Sequence, residues 1–502
     1  MSIQDFFEPV TDALSEAQPI WPILIIMLAA MLVPAIHLVS KSGKITAAFA
    51  LIMVILAMAT TGWMMYDGYT GVYAPNGFDL FTFDEFSSLM MMVFMVVAAL
   101  VILISPSYSN TTKHHGEYYA LMMVAIGGMM FVACADDLVA IFLGVELASI
   151  SSYALVALKK NDPRAPEAAV KYLIIGGLST ALTLYGMSLI YGQVGSTNIN
   201  DLAVFFTGGN FTWAYGVAFI TLIAGYGFKV AAVPFHMWAP DVYEGAATPI
   251  SSFLATGSKK MGIVVFMKIF LVIFIGTVAV PVPEIQWFFA ILAAITMTVG
   301  NIVAISQTNI KRMLAYSSIA QAGYLLIMFA VASEFAMTAG IFHMITHVFM
   351  KGGAFIVVAA LITVGVGEKI SDYRGLGKRS PLVAFAMLLF LFSLAGIPPL
   401  AGFTSKFFLF GSALFVEGGG LDTTWIWLVF IAVINSAISL YYYARVVKAM
   451  YVEKGDASAK KLKIPLTHAI AIGICVVAVI VMGVYPGPVL EFCSNAAAAF
   501  FP

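Results

Sequence analysis

The chain has 502 residues, is 61% hydrophobic and only 10% charged, and carries a formal net charge of −1 with a mean hydropathy of +0.97. That composition is far beyond what a soluble domain hides in its own core, so a soluble enzyme or binding module is excluded. Three cysteines, Cys134, Cys475 and Cys493, lack the spacing of a CxxC or iron–sulfur site and give no disulfide framework, and the net charge points to no partner class.

Apolar runs long enough to cross the hydrocarbon layer as helices, about 18 residues or more, recur from end to end. Fourteen are predicted, roughly at 20–39, 45–65, 86–105, 117–135, 138–158, 168–192, 213–238, 248–275, 286–305, 314–332, 336–364, 381–415, 425–443 and 466–485. The expected fold is an all-α polytopic membrane protein, a single membrane domain over 1–502, with no strands and no strand-borne phosphate loop. The first span is too long, and its N-terminal flank too acidic, for a cleaved secretory signal. The longest polar loop lies near 444–465, leaving no room for a soluble domain.

Charge alternates between successive loops. Basic residues cluster at Lys41 and Lys44, Lys113, Lys159 to Arg164, Lys311 and Arg312, Lys369 to Arg379, and Arg445 to Lys463, which together hold 18 of the 25. The other seven (Lys171, Lys229, Lys259, Lys260, Lys268, Lys351, Lys406) lie within spans. The intervening loops carry only acids such as Asp67, Asp84, Asp136, Asp137 and Glu417. Under the positive-inside rule both termini face outward. The loop after span 7 breaks the pattern, with Asp241 and Glu244 and no base, and is a candidate functional surface.

Within the spans, the ionisable groups are the candidates for function, because such a group at bilayer depth costs at least a few kcal/mol. In span 5, Glu146 stands in LVAIFLGVELASISSYALVAL. Span 7 carries FKVAAVPFHMWAP, with Lys229 five residues before Pro234, and span 8 carries Lys259 and Lys260. Span 11 reads IFHMITHVFMKGGAF, which puts His343, His347 and Lys351 along one helical face. Span 12 carries SLAGIPPLAGFTSKFFLF, with Lys406 seven and eight residues after Pro399 and Pro398. Each proline breaks its helix, and such breaks survive in a membrane only where protein or a water-filled cavity satisfies the freed backbone. Spans 7 and 12 are five apart and run oppositely. Two inverted five-helix repeats are therefore expected, spans 4–8 (117–275) and 9–13 (286–443), with a broken helix and a lysine near the midplane of each.

FLGVELASISSYAL, VPFHMWAPDVYEGAATPISSFLATGSK, NIKRMLAYSSIAQAGY and SLAGIPPLAGFTSKF resemble the N subunit of complex I, the antiporter-like subunit of NADH:quinone oxidoreductases, or its archaeal deazaflavin-dependent counterpart. The likeness runs over essentially the whole chain. PDVYEGA resembles the N subunit more than the sister L and M subunits or the Mrp antiporters, whereas span 11 is closer to the latter. The resemblance implies a proton path in which Glu146 pairs with Lys229, Lys259 (rather than Lys260) is the connecting lysine, and Lys406 lies toward the exit. It implies no cofactor or metal in this chain, with flavin, iron–sulfur clusters and a quinone-type acceptor on partner subunits. The implied partners are M-, L-, K-, J-, A- and H-type membrane subunits and the lipid bilayer, not nucleic acid. The implied location is the inner or plasma membrane of a prokaryote. The alternative is an Mrp-type Na⁺/H⁺ antiporter subunit, disfavoured because a sodium site should show clustered carboxylates or unwound carbonyls. A haem carrier is disfavoured because His343 and His347 share one helix, with only His37 and His468 near the ends of others.

At an effective dielectric near 20, two unit charges about 4 Å apart attract by about 4 kcal/mol, so opening a Glu146–Lys229 pair is enough to free a proton. The competing reading is a static ion pair. His343 and His347 serve either as a relay, with Lys351, or as interhelical hydrogen bonds. His236 is expected to serve the backbone freed at Pro234 and Lys268 to snorkel to the outer surface, while Lys171, at the start of span 6 near the inner surface, either snorkels or serves the site. Tyr441, Tyr442 and Tyr443 read as an interfacial aromatic belt, and the 28 methionines as packing filler.

Overall fold

The computed structural model describes residues 15–77, 79–108, 114–159, 162–207, 212–275, 283–415, 420–455 and 461–501. Lys113, Lys160, Glu417 and Lys460, which belong to the loop charges above, lie outside them. Among the described residues, twelve helices are long and apolar enough to cross a membrane.

The order begins with α1 (Trp21–Ser40) and α2 (Gly43–Tyr66). Strands were not expected, yet β1 (Gly71–Tyr73) pairs antiparallel with β2 (Phe81–Phe83), Gly71 opposite Phe83. This small hairpin sits in a loop, where backbone amides pair locally rather than within a span. Next come α3 (Glu85–Tyr108), α4 (His115–Cys134), α5 (Leu138–Ala157), α6 (Arg164–Val194), the short α7 (Ile199–Thr207) and α8 (Trp213–Val230). Asp137 caps α5, its carboxylate accepting from the amides of Val139 and Ala140.

Predicted spans 8 and 12 are not single regular helices. Span 8 is α10 (Thr248–Phe253) and α11 (Lys259–Phe266), separated and followed by π-helical turns at Leu254–Ser258 and Met267–Ile275. Before it lies α9 (Trp238–Gly245), the continuation of span 7 beyond its break. Then follow α12 (Pro283–Ser306), α13 (Ile310–Leu325), α14 (Ile327–Val331) and α15 (Glu334–Thr363). Span 12 is split into α16 (Pro381–Ala395) and α17 (Ala401–Gly411), and α18 (Ile426–Tyr451), α19 (Leu466–Val484) and α20 (Gly487–Ala498) complete the chain.

α15 runs through the centre, packed on α3, α10, α13, α16, α17, α19 and α20. It is buried almost all round, so its His343, His347 and Lys351 have no access to water or lipid. α12 and α13 approach closely through small residues: a Cβ on Gly323 would lie 2.4 Å from the Met297 amide nitrogen.

Candidate functional site

Both breaks fall at the expected prolines. α8 stops where Ala231 turns left-handed (φ 58°) ahead of Pro234, and α16 stops at Gly396 (φ 91°) ahead of Pro398 and Pro399. A helix that stops leaves carbonyls unpaired and a partial negative charge at its end, a natural place for a cation. Lys229 lies in the last turn of α8. Lys406, on α17, donates to the carbonyls of Leu394 (2.8 Å) and Ala395 (3.3 Å) at the end of α16 and to Ser436 Oγ (3.0 Å) on α18. At the first break His236 meets the Pro234 backbone as expected, and it is joined by Trp238, whose Nε1 donates to the Phe228 carbonyl at 2.9 Å, and by Thr296, whose Oγ1 accepts from the Val233 amide at 3.2 Å.

Lys229 is buried and its Nζ has no hydrogen-bond partner. It sits instead over the rings of Phe228 (5.0 Å), Tyr153 (5.4 Å) and Tyr172 (5.6 Å). The expected contact with Glu146 is not made. Glu146 is half-buried beside the exposed Leu143 and Ile150, and its Oε1 accepts from Thr180 Oγ1 of α6 at 2.8 Å. The two residues, and the two tyrosines, nonetheless feel each other's charge. The reason is packing: aromatic rings occupy the contact sphere of Lys229, so the attraction acts at a distance.

Beyond Lys229, span 8 presents Lys259 and Lys260, both 1% exposed. Lys259 Nζ lies 6.0 Å from the Tyr243 ring without a hydrogen bond. His347, Lys351, Lys259 and Lys260 are near enough to act on one another electrostatically, as are His343, Lys260 and Lys406. His343 uses both ring nitrogens, Nδ1 with Ser405 Oγ (2.9 Å) and Nε2 with Gln321 Oε1 (3.1 Å). Gln321 Nε2 donates to the same Leu394 carbonyl that holds Lys406. Neither nitrogen of His347 has a partner, whereas Lys351 Nζ donates to Ser317 Oγ (2.5 Å) and the Leu314 carbonyl (3.0 Å).

Sequence reasoning missed the polar groups that complete this set. Ser317 bonds Tyr443, Tyr442 donates to Asn301 Oδ1 (2.9 Å), and Asn301 Nδ2 donates to Tyr324 (3.1 Å) and Asn435 (3.2 Å). The Tyr324 ring lies 4.8 Å from Lys406 Nζ. The aromatic-belt reading therefore fails for two of three tyrosines: Tyr441 is 61% exposed, but Tyr442 and Tyr443 are fully buried. Consecutive helical residues point about 100° apart, so one faces outward and two face the core. The available signal was amides (Asn301, Gln321, Asn435) inside apolar spans.

The loop after span 7 is acidic because its bases are supplied from elsewhere. Asp241 accepts from Lys171 (2.9 Å) and Arg312 (2.6 Å), Glu244 accepts from Arg312 (3.0 Å) and Asn309 (3.0 Å), and Arg164 bonds Glu368 (2.9 Å). Burial opposes the charge on Asp241, but Lys171 and Arg312 outweigh it and hold its carboxyl below the usual range. Burial likewise opposes Glu368, and Lys311 with Arg164 hold it low. Lys268 does not snorkel. It is 6% exposed and pairs with Asp136 at 2.9 Å, since the α4–α5 turn brings it a counter-charge. Lys171 is exposed and paired.

The family described as NADH:quinone oxidoreductase/Mrp antiporter, TM matches residues 135–439, a stretch that includes every lysine of the axis and Glu146. The chain belongs to this family. It is 45% identical over 387 residues to the F(420)H(2) dehydrogenase subunit N of Methanosarcina mazei, covering 75% of this chain and 76% of that protein. It is 44% identical over 375 residues to the NADH-quinone oxidoreductase subunit N of Desulforamulus reducens, covering 74% and 76%. Among solved structures, a chain of respiratory complex I from Thermus thermophilus with bound aureothin superposes at TM-score 0.77 with 28% identity, over 94% of this chain and 98% of that one. A chain of the Mrp complex from Dietzia sp. shares the fold, at TM-score 0.84 and 22% identity over 97% and 98%. Within the family the curated relatives named here are N subunits, which favours that reading over an Mrp subunit.

Proposed function

We propose that this chain is the N-type antiporter-like subunit of a redox-driven, complex I-type oxidoreductase and that it moves protons along the buried axis from Glu146 through Lys229, Lys259, the α15 histidines and Lys351 to Lys406. The observation that carries the reading is that the axis runs from one helix with an exposed side, α5, to another, α18. One end, Glu146, lies beside the exposed Leu143 and Ile150 of α5. The other, Lys406, holds the half-buried Ser436 of α18, whose neighbours Val433 and Leu440 are exposed. An axis whose two ends come close to outward-facing helix surfaces suits a subunit that hands charge to similar neighbours, here M-, L- and smaller membrane subunits. The axis offers amines, imidazoles and hydroxyls, which carry protons, its freed carbonyls at the second break are occupied by Lys406, and among the described residues there is no carboxylate cluster for a sodium ion.

In this reading the redox chemistry, with its flavin, iron–sulfur clusters and quinone-type acceptor, resides on partner subunits, and the complex as a whole is the translocating enzyme. The basic loops face the inside of a prokaryotic plasma membrane and both termini face outward. Two inverted units, 117–275 and 286–443, each contribute one broken helix and one lysine at a helix break. The test is redox-driven proton uptake in sealed membranes carrying Lys229→Ala, with assembly of the complex checked alongside. Sharply reduced pumping by an intact complex is expected, and unchanged pumping would make the buried lysine structural.

A further inference from the structure

The eight-residue α9 stands between the charged surface on the basic-loop side and Lys259. Its buried face carries Tyr243, fully enclosed, whose ring lies 6.0 Å from Lys259 Nζ and 6.1 Å from Phe355 on α15. The Tyr243 and Ser318 hydroxyls face one another but stop short of a hydrogen bond. Tyr243, Ser318, Lys259 and His347 all have buried polar side-chain atoms without partners. Buried polar groups are ordinarily satisfied, so such a file behind one short helix marks a route that water enters in another state.

The opposite face of α9 is held by charge from three directions. Lys171 of α6 and Arg312 of α13 take Asp241, and Arg312 also takes Glu244. Lys311 is 0% exposed, and its Nζ donates to the carbonyls of Glu244 (2.6 Å) and Ala246 (2.8 Å) and reaches Glu368 at 3.5 Å. A polar cavity of about 150 Å³, lined by Arg164, Glu167, Lys171, Asp241, Glu244 and Arg312, opens beside this ring. That is room for a few waters. It ends at Gly245, where a Cβ would lie 2.7 Å from the Arg164 carbonyl and from Ala168 Cβ, so α9 is pressed onto α6 with no space for water between them.

We propose that α9 is the inner gate of the axis. Its ion-pair ring holds it shut, and its displacement joins the polar cavity to Lys259 past Tyr243 and Ser318. With the gate open, a hydrated proton passes from the basic-loop side to a Lys259 amine that has handed its own proton along the axis, giving the ammonium and a water molecule. With it closed, Lys259 communicates only with the rest of the axis. Partly exposed ion pairs are individually weak, which is what a reversible closure needs. The identity of the passing ion rests on the proposed function; the gate itself is a statement about water access.

The test uses Ser318→Cys in the assembled complex, in sealed membranes of either orientation, with the parent chain as the control for Cys134, Cys475 and Cys493. A small membrane-impermeant thiol reagent is applied from each side. Slow labelling is expected from the basic-loop side, rising at least tenfold when the ring is weakened by Asp241→Asn or by Lys171→Gln. It is also expected to rise in concentrated salt, which screens exposed pairs without altering the chain. Labelling that ignores both variants and salt, or that proceeds from the opposite side, overturns the gate. Because labelling is read without turnover, a failed gate and a failed pumping assignment are told apart.

Discussion

Glu146 and Lys229 act on one another without touching: Lys229 Nζ has no hydrogen-bond partner and lies among aromatic rings, while Glu146 accepts from Thr180. The attraction of a close pair, about 4 kcal/mol at about 4 Å and a dielectric near 20, is therefore only partly realised in this arrangement. Thr180 holds the carboxylate while the rings surround the amine, so the hydroxyl and the rings together keep the pair open.

Thr180→Val removes the hydroxyl's bond while keeping the shape of the side chain. A hydrogen bond to a charged group contributes about 1.5–3 kcal/mol. The expected outcome is an intact complex whose proton-to-electron ratio falls at least severalfold, because Glu146 is left biased toward Lys229. Proton uptake and electron flow measured in the same vesicles check it, and an unchanged ratio rules out this role.

Gln321 joins His343 to the carbonyl that also holds Lys406. Gln321→Leu leaves His343 Nε2 and part of that carbonyl unsatisfied in a fully buried place, a loss of about 1–3 kcal/mol. A lower melting temperature of the purified complex is expected, together with reduced pumping at wild-type electron flow. Gln321→Glu keeps an acceptor for His343 and is expected to recover stability; pumping that recovers in step with it would point to structure alone, whereas pumping that stays reduced assigns Gln321 a part in the axis.

The close approach of α12 and α13 depends on Gly323, whose Cβ would sit 2.4 Å from the Met297 amide. Forcing a methyl there costs about 1–3 kcal/mol, and a larger side chain more. Gly323→Ala is expected to lower the amount of assembled complex, and Gly323→Leu to abolish it. Native gels of solubilised membranes read both.

The pairs that hold α9 have a defined pH dependence. Asp241 and Glu368 are held below their ordinary values, near about 4, despite burial, by Lys171 and Arg312 on one and Lys311 and Arg164 on the other. A lowered folded value means the stabilisation is fully present above the ordinary value and is lost as pH falls through the lower one. Hydrogen exchange of peptides covering 238–246, corrected for its intrinsic pH dependence, is expected to be flat from about pH 7 to about pH 5 and to accelerate on the acid side only below about pH 4. Acceleration near neutral pH would assign the closure to other groups.

Much of the site was legible in the chain because the cost of a charge in an apolar span makes it conspicuous. Lys229, Lys259, Lys351 and Lys406 were found that way, and the prolines located both breaks. Gln321, Ser317, Tyr442 and Tyr443 were not, since neutral polar side chains are common enough in spans to pass as packing. Lys268 was misread because nothing in its own segment announces Asp136, which lies 132 residues away along the chain.

By itself the sequence determined the one-dimensional properties: which segments are long and apolar enough to enter a bilayer, which loops carry charge, and where the backbone must break. These follow from transfer energies and from proline chemistry, which depend on neighbours along the chain. Only the tertiary structure decided which side of each helix faces which other helix. That choice sets Glu146 on an outer face with Thr180, encloses Lys229 in rings, turns Tyr442 and Tyr443 inward, and brings Lys311 and Arg312 onto α9. Every side of a buried helix is apolar enough to be inside, so its rotation is settled by packing against partners distant in sequence.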